Sequence, residues 1–265
     1  MKKAVRSLRE GILLTEEAKS AKAITKFKKA LEIFLKSKNQ EMIALCLSFL
    51  GLAYRSEKQY DAALEQFHKF LDLITEMKDT FGIAQAYLDI GLTLSLQKRY
   101  DSAIDKLKKC LKIIQEELKD KDLEVRALSN LGGVYLLKGD LDVAFSYFKE
   151  GLQIADKFDY IESSAECYRG LAEIHEKQGD LRKSVDYYQN SLGVFRLLGD
   201  KRSESDILLQ LGVIYSQLER YYDAIFYFKQ GKKVKKQLKD IFGEKLCEKN
   251  LDILHAKLRA KKDKS

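Results

Sequence analysis

Small residues recur along this chain at one long interval, and apolar residues recur around them at the spacing of amphipathic helices. Residues 131–152, LGGVYLLKGDLDVAFSYFKEGL, place apolar side chains three and four apart on either side of a Gly-Asp turn, the pattern of two short helices joined by a tight connection. With Gly132 and Ala144 as markers, the same pair returns as Gly11/Ala23, Gly51/Ala63, Gly91/Ala103, Ala172/Ser184 and Gly212/Ala224. The steps between successive first markers are 40, 40, 41, 40 and 40 residues. A fixed period of this length marks a stack in which each unit is one helix pair.

The two columns have a physical reason. Two helices approach closely only where side chains at the crossing are small. The first column keeps Gly in five of six copies, although Gly inside a helix costs roughly 0.5–1 kcal/mol relative to Ala, so a packing gain must offset it. Larger residues fill the holes between columns. Tyr54, Tyr135 and Tyr215 lie three after the first column, and Phe27, Phe67, Phe148 and Phe228 lie four after the second.

The pattern predicts a first helix to about residue 17 and another over 22–36, with an atypical turn at 18–20. Further first helices are expected near 41–57, 80–97, 122–138, 161–177 and 201–218, and second helices near 60–77, 100–118, 141–157, 181–197 and 221–238. The joints carry polar pairs such as Lys78-Asp79, Gly199-Asp200 and Lys239-Asp240, whose carboxylates suit helix N-caps. A last helix over 244–260 puts Asp252 in the glycine column, which predicts a terminal cap, and 261–265 reads as a frayed basic tail.

With L-G-x-x-Y in the first helix and A-x-x-x-F in the second, the chain resembles a tetratricopeptide repeat (TPR) protein over nearly its whole length. Its long repeat and the wording ALSNLGGVYLLKGDLDVAFSYFKEGLQIA are similar to the branch with the LGN/Pins adaptors and the kinesin light chains. The resemblance implies an all-α fold: a TPR-type α-solenoid of six helix-turn-helix repeats plus a C-terminal capping helix, wound as a right-handed superhelix. Repeats are expected near 1–38, 39–78, 79–120, 121–159, 160–199 and 200–240, as one domain over 1–260. The family often closes its second helix with Pro; this chain has none, which lets that helix run on and fits the longer period.

Composition narrows the function. No apolar run reaches the roughly 20 residues that a membrane span needs, and the apolar segment after the basic start is only residues 11–14, too short for a secretory signal. A cytoplasmic location is expected. Cys46, Cys110, Cys167 and Cys247 have no metal-ligand spacing, and three of them stand five before the first column, where small buried side chains are wanted. His175 and His255 fall in the tyrosine column, and His68 is expected to face solvent. His175-Glu176 begins a zinc-protease motif, but Gly179 stands where the second His belongs. No nucleophile, phosphate-loop or metal constellation emerges, so neither enzyme activity nor a cofactor is expected.

The net charge of +8 divides into +7 over 1–40, −6 over 41–230 and +7 over 231–265. A nucleic-acid role would rest on Lys232, Lys233, Lys235, Lys236, Lys239, Lys257, Arg259, Lys261, Lys262 and Lys264, but stacking aromatics are missing there and the acidic middle repels a polyanion. Nucleic acid is therefore not the expected partner.

By resemblance, a partner segment lies along the concave surface formed by the first helices, touched by residues three before, two before and one after the glycine column. Three before stand Leu8, Ser48, Leu88, Ser129, Arg169 and Leu209; one after stand Ile12, Leu52, Leu92, Gly133, Glu173 and Val213. The family's carboxylate clamp is incomplete here: Asn130 is the only Asn two before the column, and Glu173 replaces a required Arg. The expected groove is Ser48, Leu52, Leu88, Leu92, Arg126, Ser129, Asn130, Arg169, Glu173, Leu209 and Val213, with Asn130 offering its amide to a partner backbone and Arg169 and Glu173 free to pair with each other. The expected function is a non-catalytic adaptor for a protein or peptide segment. The alternatives are a peptide-sensing regulator that changes curvature on binding and a nucleic-acid accessory protein. Oligomeric state is left open.

Overall fold

The computed structural model describes residues 2–17 and 19–262. Met1, Ala18 and 263–265 lie outside the described residues, so the readings of the turn at 18–20 and of the tail at 261–265 fall partly outside them. The chain divides into two compact units, Met1–Asp140 and Leu141–Ser265. All described elements are helical.

The first unit contains α1 (Lys2–Glu16), α2 (Ser20–Lys36), α3 (Gln40–Ser56), α4 (Tyr60–Glu76), α5 (Thr80–Leu96), α6 (Tyr100–Ile113) continued by a π turn (Ile114–Leu118), and α7 (Lys121–Lys138). Each helix packs on the next in chain order. The second unit contains α8 (Leu141–Phe158), α9 (Ile161–Lys177), α10 (Leu181–Leu198), α11 (Lys201–Gln217), α12 (Tyr221–Gln237) and α13 (Ile241–Lys262), again packed in succession. Within the first unit α1/α2, α3/α4 and α5/α6, and within the second α9/α10 and α11/α12, are helix pairs that the period predicts, and α13 packs on α12 as the terminal helix.

Glycine and filler meet as the columns require. A Cβ placed on Gly11 or Gly51 would enter the ring of Phe27 or Phe67; on Gly91 it would lie 2.7 Å from Leu107, and on Gly212 2.8 Å from the Phe228 ring. One filler is used differently: the Phe148 ring faces Gly170 of α9. In that repeat Tyr188 is 1% exposed, and its hydroxyl donates to Glu176 Oε2 at 3.0 Å, which satisfies the phenol inside the core.

The joints share a backbone device that periodicity alone does not show. Lys38, Lys58, Lys78, Lys98, Lys119, Asp159, Glu219 and Lys239 all have positive φ, as do Gly139, Gly179 and Gly199. A left-handed residue follows each of α2 to α12, and the next N–H reaches back to the last turn: Gln59 N to Tyr54 O at 2.9 Å and Asp140 N to Tyr135 O at 3.0 Å are examples. The following helix starts on the expected carboxylates. Asp79 accepts from the Gly82 N–H, Asp120 from Leu123, Asp200 from Arg202 and Ser203, and Asp240 from Gly243.

The 41-residue step also has a location. Both the marker pair Ala103/Ala144 and the left-handed pair Lys78/Lys119 carry it, so the extra residue lies between Ala103 and Lys119. There the helix opens into the π turn, which absorbs one residue without moving the joint.

The four cysteines are buried and free. Burial pushes the thiols of Cys46, Cys110 and Cys167 up to about 12, so they are inert apolar fillers. His68 is exposed, as expected; His255 is exposed too, because α13 has a packed neighbour on one side only among the described residues.

Candidate functional site

In the first unit, Ser48 and Leu52 on α3, Leu88 and Leu92 on α5, and Ser129 and Asn130 on α7 are all half-buried. Residues in these columns lie on the same face of their helices. Leu8, at the head of one column, is only 4% exposed and belongs to the core. Arg126 is exposed, and its carbonyl receives the Ser129 hydroxyl at 3.0 Å and the Asn130 amide at 2.8 Å. One N–H of Asn130 is thus turned onto its own helix, and the amide oxygen is left for a partner.

Two features of this face escaped sequence reasoning. Arg55 Nη1 donates to Asp89 Oδ1 at 2.9 Å, and Gln85 Nε2 donates to Asp89 Oδ2 at 2.9 Å. The Asp89 side chain is only 4% exposed, so its charge is spent inside the face. The second is a cavity of about 30 Å³ between α5, α6, the π turn and α7, lined by Phe81, Ala84, Gln85, Leu88, Cys110, Ile114, Leu123, Arg126 and Ala127. Phe81 at this cavity is 55% exposed, a large apolar side chain left in solvent.

The second unit is more polar in the same columns. Arg169 Nη1 donates to Glu173 Oε1 at 2.8 Å and its Nε to Glu166 Oε2 at 2.9 Å, so this arginine pairs within its own helix, as its spacing to Glu173 allows. Burial raises the Glu173 carboxyl against the opposing pull of Arg169. Leu209 and Val213 are half-buried and pack on the core of α10–α12. His175 is stacked on Tyr187 with centroids 5.4 Å apart, and its burial lowers its basicity; its ring fills the tyrosine column.

Several lysines of the basic C-terminal end are already engaged. Lys232 pairs with Glu248, Lys235 with Asp206 and Asp240, and Lys257 and Lys261 lie over the Tyr221 ring. No group of side chains suited to hold a metal ion occurs among the described residues. No described helix is long and apolar enough to cross a membrane.

A family model of the tetratricopeptide repeat matches residues 82–157 and 163–237, more than half of the chain. Among curated proteins, none matches in sequence. Among solved structures the fold is similar to aspartyl phosphate phosphatase F from Bacillus subtilis, with a TM-score of 0.71 at 17% identity, covering 96% of this chain and 70% of that one. It is also similar to the Rap conjugation gene regulator of the plasmid pLS20 in complex with the Phr* peptide, with a TM-score of 0.66 at 18% identity over 97% of this chain and 74% of that one. A putative kinesin light chain of Podosopora anserina with nearly identical TPR-like repeats gives a TM-score of 0.61 at 12% identity over 74% of this chain and 95% of that one.

Proposed function

Because the chain belongs to the tetratricopeptide repeat family, we propose that it is a non-catalytic interaction module holding an extended or helical segment of another protein against its first helices. The observation that carries this reading is the half-buried strip of Leu52, Leu88 and Leu92, apolar side chains that the core does not fully cover. Binding of the partner would bury them, with a few central anchors supplying most of the energy. Repeat scaffolds of this family are in general non-catalytic, and the similarity to a phosphatase at 17% identity carries the fold alone. A cytoplasmic adaptor is the fuller form of the proposal.

A second reading has support of its own. The neighbour in complex with the Phr* peptide is a gene regulator, which favours a peptide-sensing role in which binding changes the curvature of the repeats. Selection of binders from a phage-displayed random peptide library, followed by titration calorimetry on the full chain, tests the interaction reading; a library that yields no groove-dependent binder overturns it. Solution scattering with and without the selected peptide separates the two, because a passive adaptor keeps its radius of gyration and a sensor changes it.

A further inference from the structure

The cavity beside the π turn gives the interaction reading a chemistry. We infer that it is an anchor subsite, taking one apolar side chain of a partner segment whose neighbouring acidic side chain pairs with Arg126; this rests on the groove reading above.

The cavity's 30 Å³ admits the tip of a side chain and not a whole small-molecule ligand. Its apolar lining is Phe81, Ala84, Leu88, Leu123 and Ala127, together with Cys110 and Ile114, buried members of the core. Its polar groups are Arg126 and Gln85. Arg126 is exposed and makes no ion pair among the described residues. One N–H of Gln85 is committed to Asp89, and its carbonyl oxygen remains an acceptor for a partner's backbone N–H.

Charge on the rest of this face selects the occupant. Asp89 is neutralised by Arg55, and Glu10 by Arg6 and Lys26. Arg9, two before the first glycine marker on α1, is exposed and, like Arg126, has no ion-pair partner among the described residues. Unpaired cations on the first and fourth repeats therefore bracket the apolar strip of Leu52, Leu88 and Leu92. One chain-terminal carboxylate cannot serve both, because they stand three repeat steps apart. The matching segment carries acidic side chains within its length, next to its apolar anchors, and a guanidinium holds a carboxylate with paired hydrogen bonds.

The test uses the full chain and a phage-displayed library of random dodecapeptides, with affinities of the selected peptides measured by fluorescence anisotropy. The consensus is expected to place Asp or Glu beside Leu, Ile, Met or Phe. Ala84→Leu, which fills the cavity, should weaken binding at least about tenfold. Phe81→Ala alters an exposed side chain and serves if Ala84→Leu lowers the melting temperature; it should weaken binding severalfold. Arg126→Glu should cost a similar factor, and replacing the peptide's acidic residue with Lys should restore affinity for that variant alone. A consensus without acidic residues, or affinity unchanged in both Phe81→Ala and Arg126→Glu while Leu52→Asp abolishes it, overturns the anchor and leaves the groove standing. If no peptide is selected, or Leu52→Asp has no effect, the groove reading fails and the anchor with it.

Discussion

Arg55 and Asp89, 34 residues apart in sequence, join the first helices of two adjacent repeats through a 2.9 Å hydrogen-bonded ion pair whose carboxylate is almost wholly withdrawn from water and whose arginine is 21% exposed. Asp89 also accepts from Gln85, so both of its oxygens are occupied. Removing the carboxylate strands the guanidinium, whereas replacing both partners with apolar residues leaves nothing unpaired. Asp89→Ala should therefore destabilise the first unit by about 2–3 kcal/mol, and the double change Arg55→Met/Asp89→Leu by less than that. Urea denaturation of the single and double variants decides it; additive losses would mean that the pair contributes little as a pair.

The left-handed joints make a second prediction. Lys58 at φ 58 and Lys98 at φ 61 hold a conformation that costs an L-residue roughly 1–2 kcal/mol. Lys58→Gly and Lys98→Gly should each stabilise the chain by about 0.5–1 kcal/mol, once the greater unfolded-state freedom of Gly is set against the relief. Gly139, at φ 97, is the converse case, and Gly139→Ala should destabilise. Melting temperatures that fall for all three would remove the backbone explanation of the joints.

The columns were legible because one constraint recurs at Gly11, Gly51, Gly91 and Gly212: Gly212 lies against Phe228 for the same reason that Gly51 lies against Phe67, and the sequence shows both at the same spacing. The buried cysteines and the Arg169–Glu173 pair were equally readable, since column membership and an i,i+4 spacing are local facts. Arg55–Asp89 was not, because each residue looks like an ordinary surface charge until two repeats are set side by side. Phe81 was missed because its place at the cavity depends on the π turn, and the single extra residue between Ala103 and Lys119 says that something yields without saying how. The proposed face was thus readable as columns of one helix side, and its interlocking contacts between neighbouring repeats were not.

Close approach at the columns predicts a steep size dependence. A Cβ on Gly212 would lie 2.8 Å from the Phe228 ring, and Phe228 is only 1% exposed. Gly212→Leu should cost about 1–3 kcal/mol through overpacking. Lys229 is exposed on α12, and Lys229→Ala should stay within about 0.5 kcal/mol of the parent. Thermal unfolding followed by circular dichroism compares the two, and equal shifts would sink the assignment of the glycine column.

The thiols give a pH prediction whose sign is fixed. Cys46, Cys110 and Cys167 are pushed up to about 12 by burial, from an ordinary value of 9.0. Between those values the unfolded chain loses thiol protons that the folded chain keeps, so stability is fully present below pH 9 and falls as pH rises toward 12. The slope is at most about 1.4 kcal/mol per pH unit for each thiol. Replacing the three with Ala should flatten the alkaline limb of a stability–pH curve measured in urea. An unchanged limb would show that the tyrosines and lysines account for it alone.

The apolar strip carries the functional prediction. Leu52 and Leu92 occupy the same column of adjacent repeats, one residue after Gly51 and Gly91, and both are half-buried where those glycines are buried. An Asp at either position therefore meets solvent on one side, and the pair Leu52→Asp/Leu92→Asp should leave helicity and melting temperature nearly unchanged. A bound segment would bury both carboxylates against its own apolar anchors, at a cost of at least about 2 kcal/mol in affinity. Charge reversal at Arg126 should act differently. Arg126 faces solvent without an ion pair among the described residues, so its reversal should slow association with an acidic partner and reduce the salt dependence. At Arg169, whose charge is spent on Glu166 and Glu173, reversal should do much less to the association rate. Stopped-flow association at two ionic strengths, with calorimetry for the leucine variants, separates these effects. A leucine double variant that unfolds would return those side chains to the core; one that stays folded and binds its peptide with parental affinity would place the partner on another face.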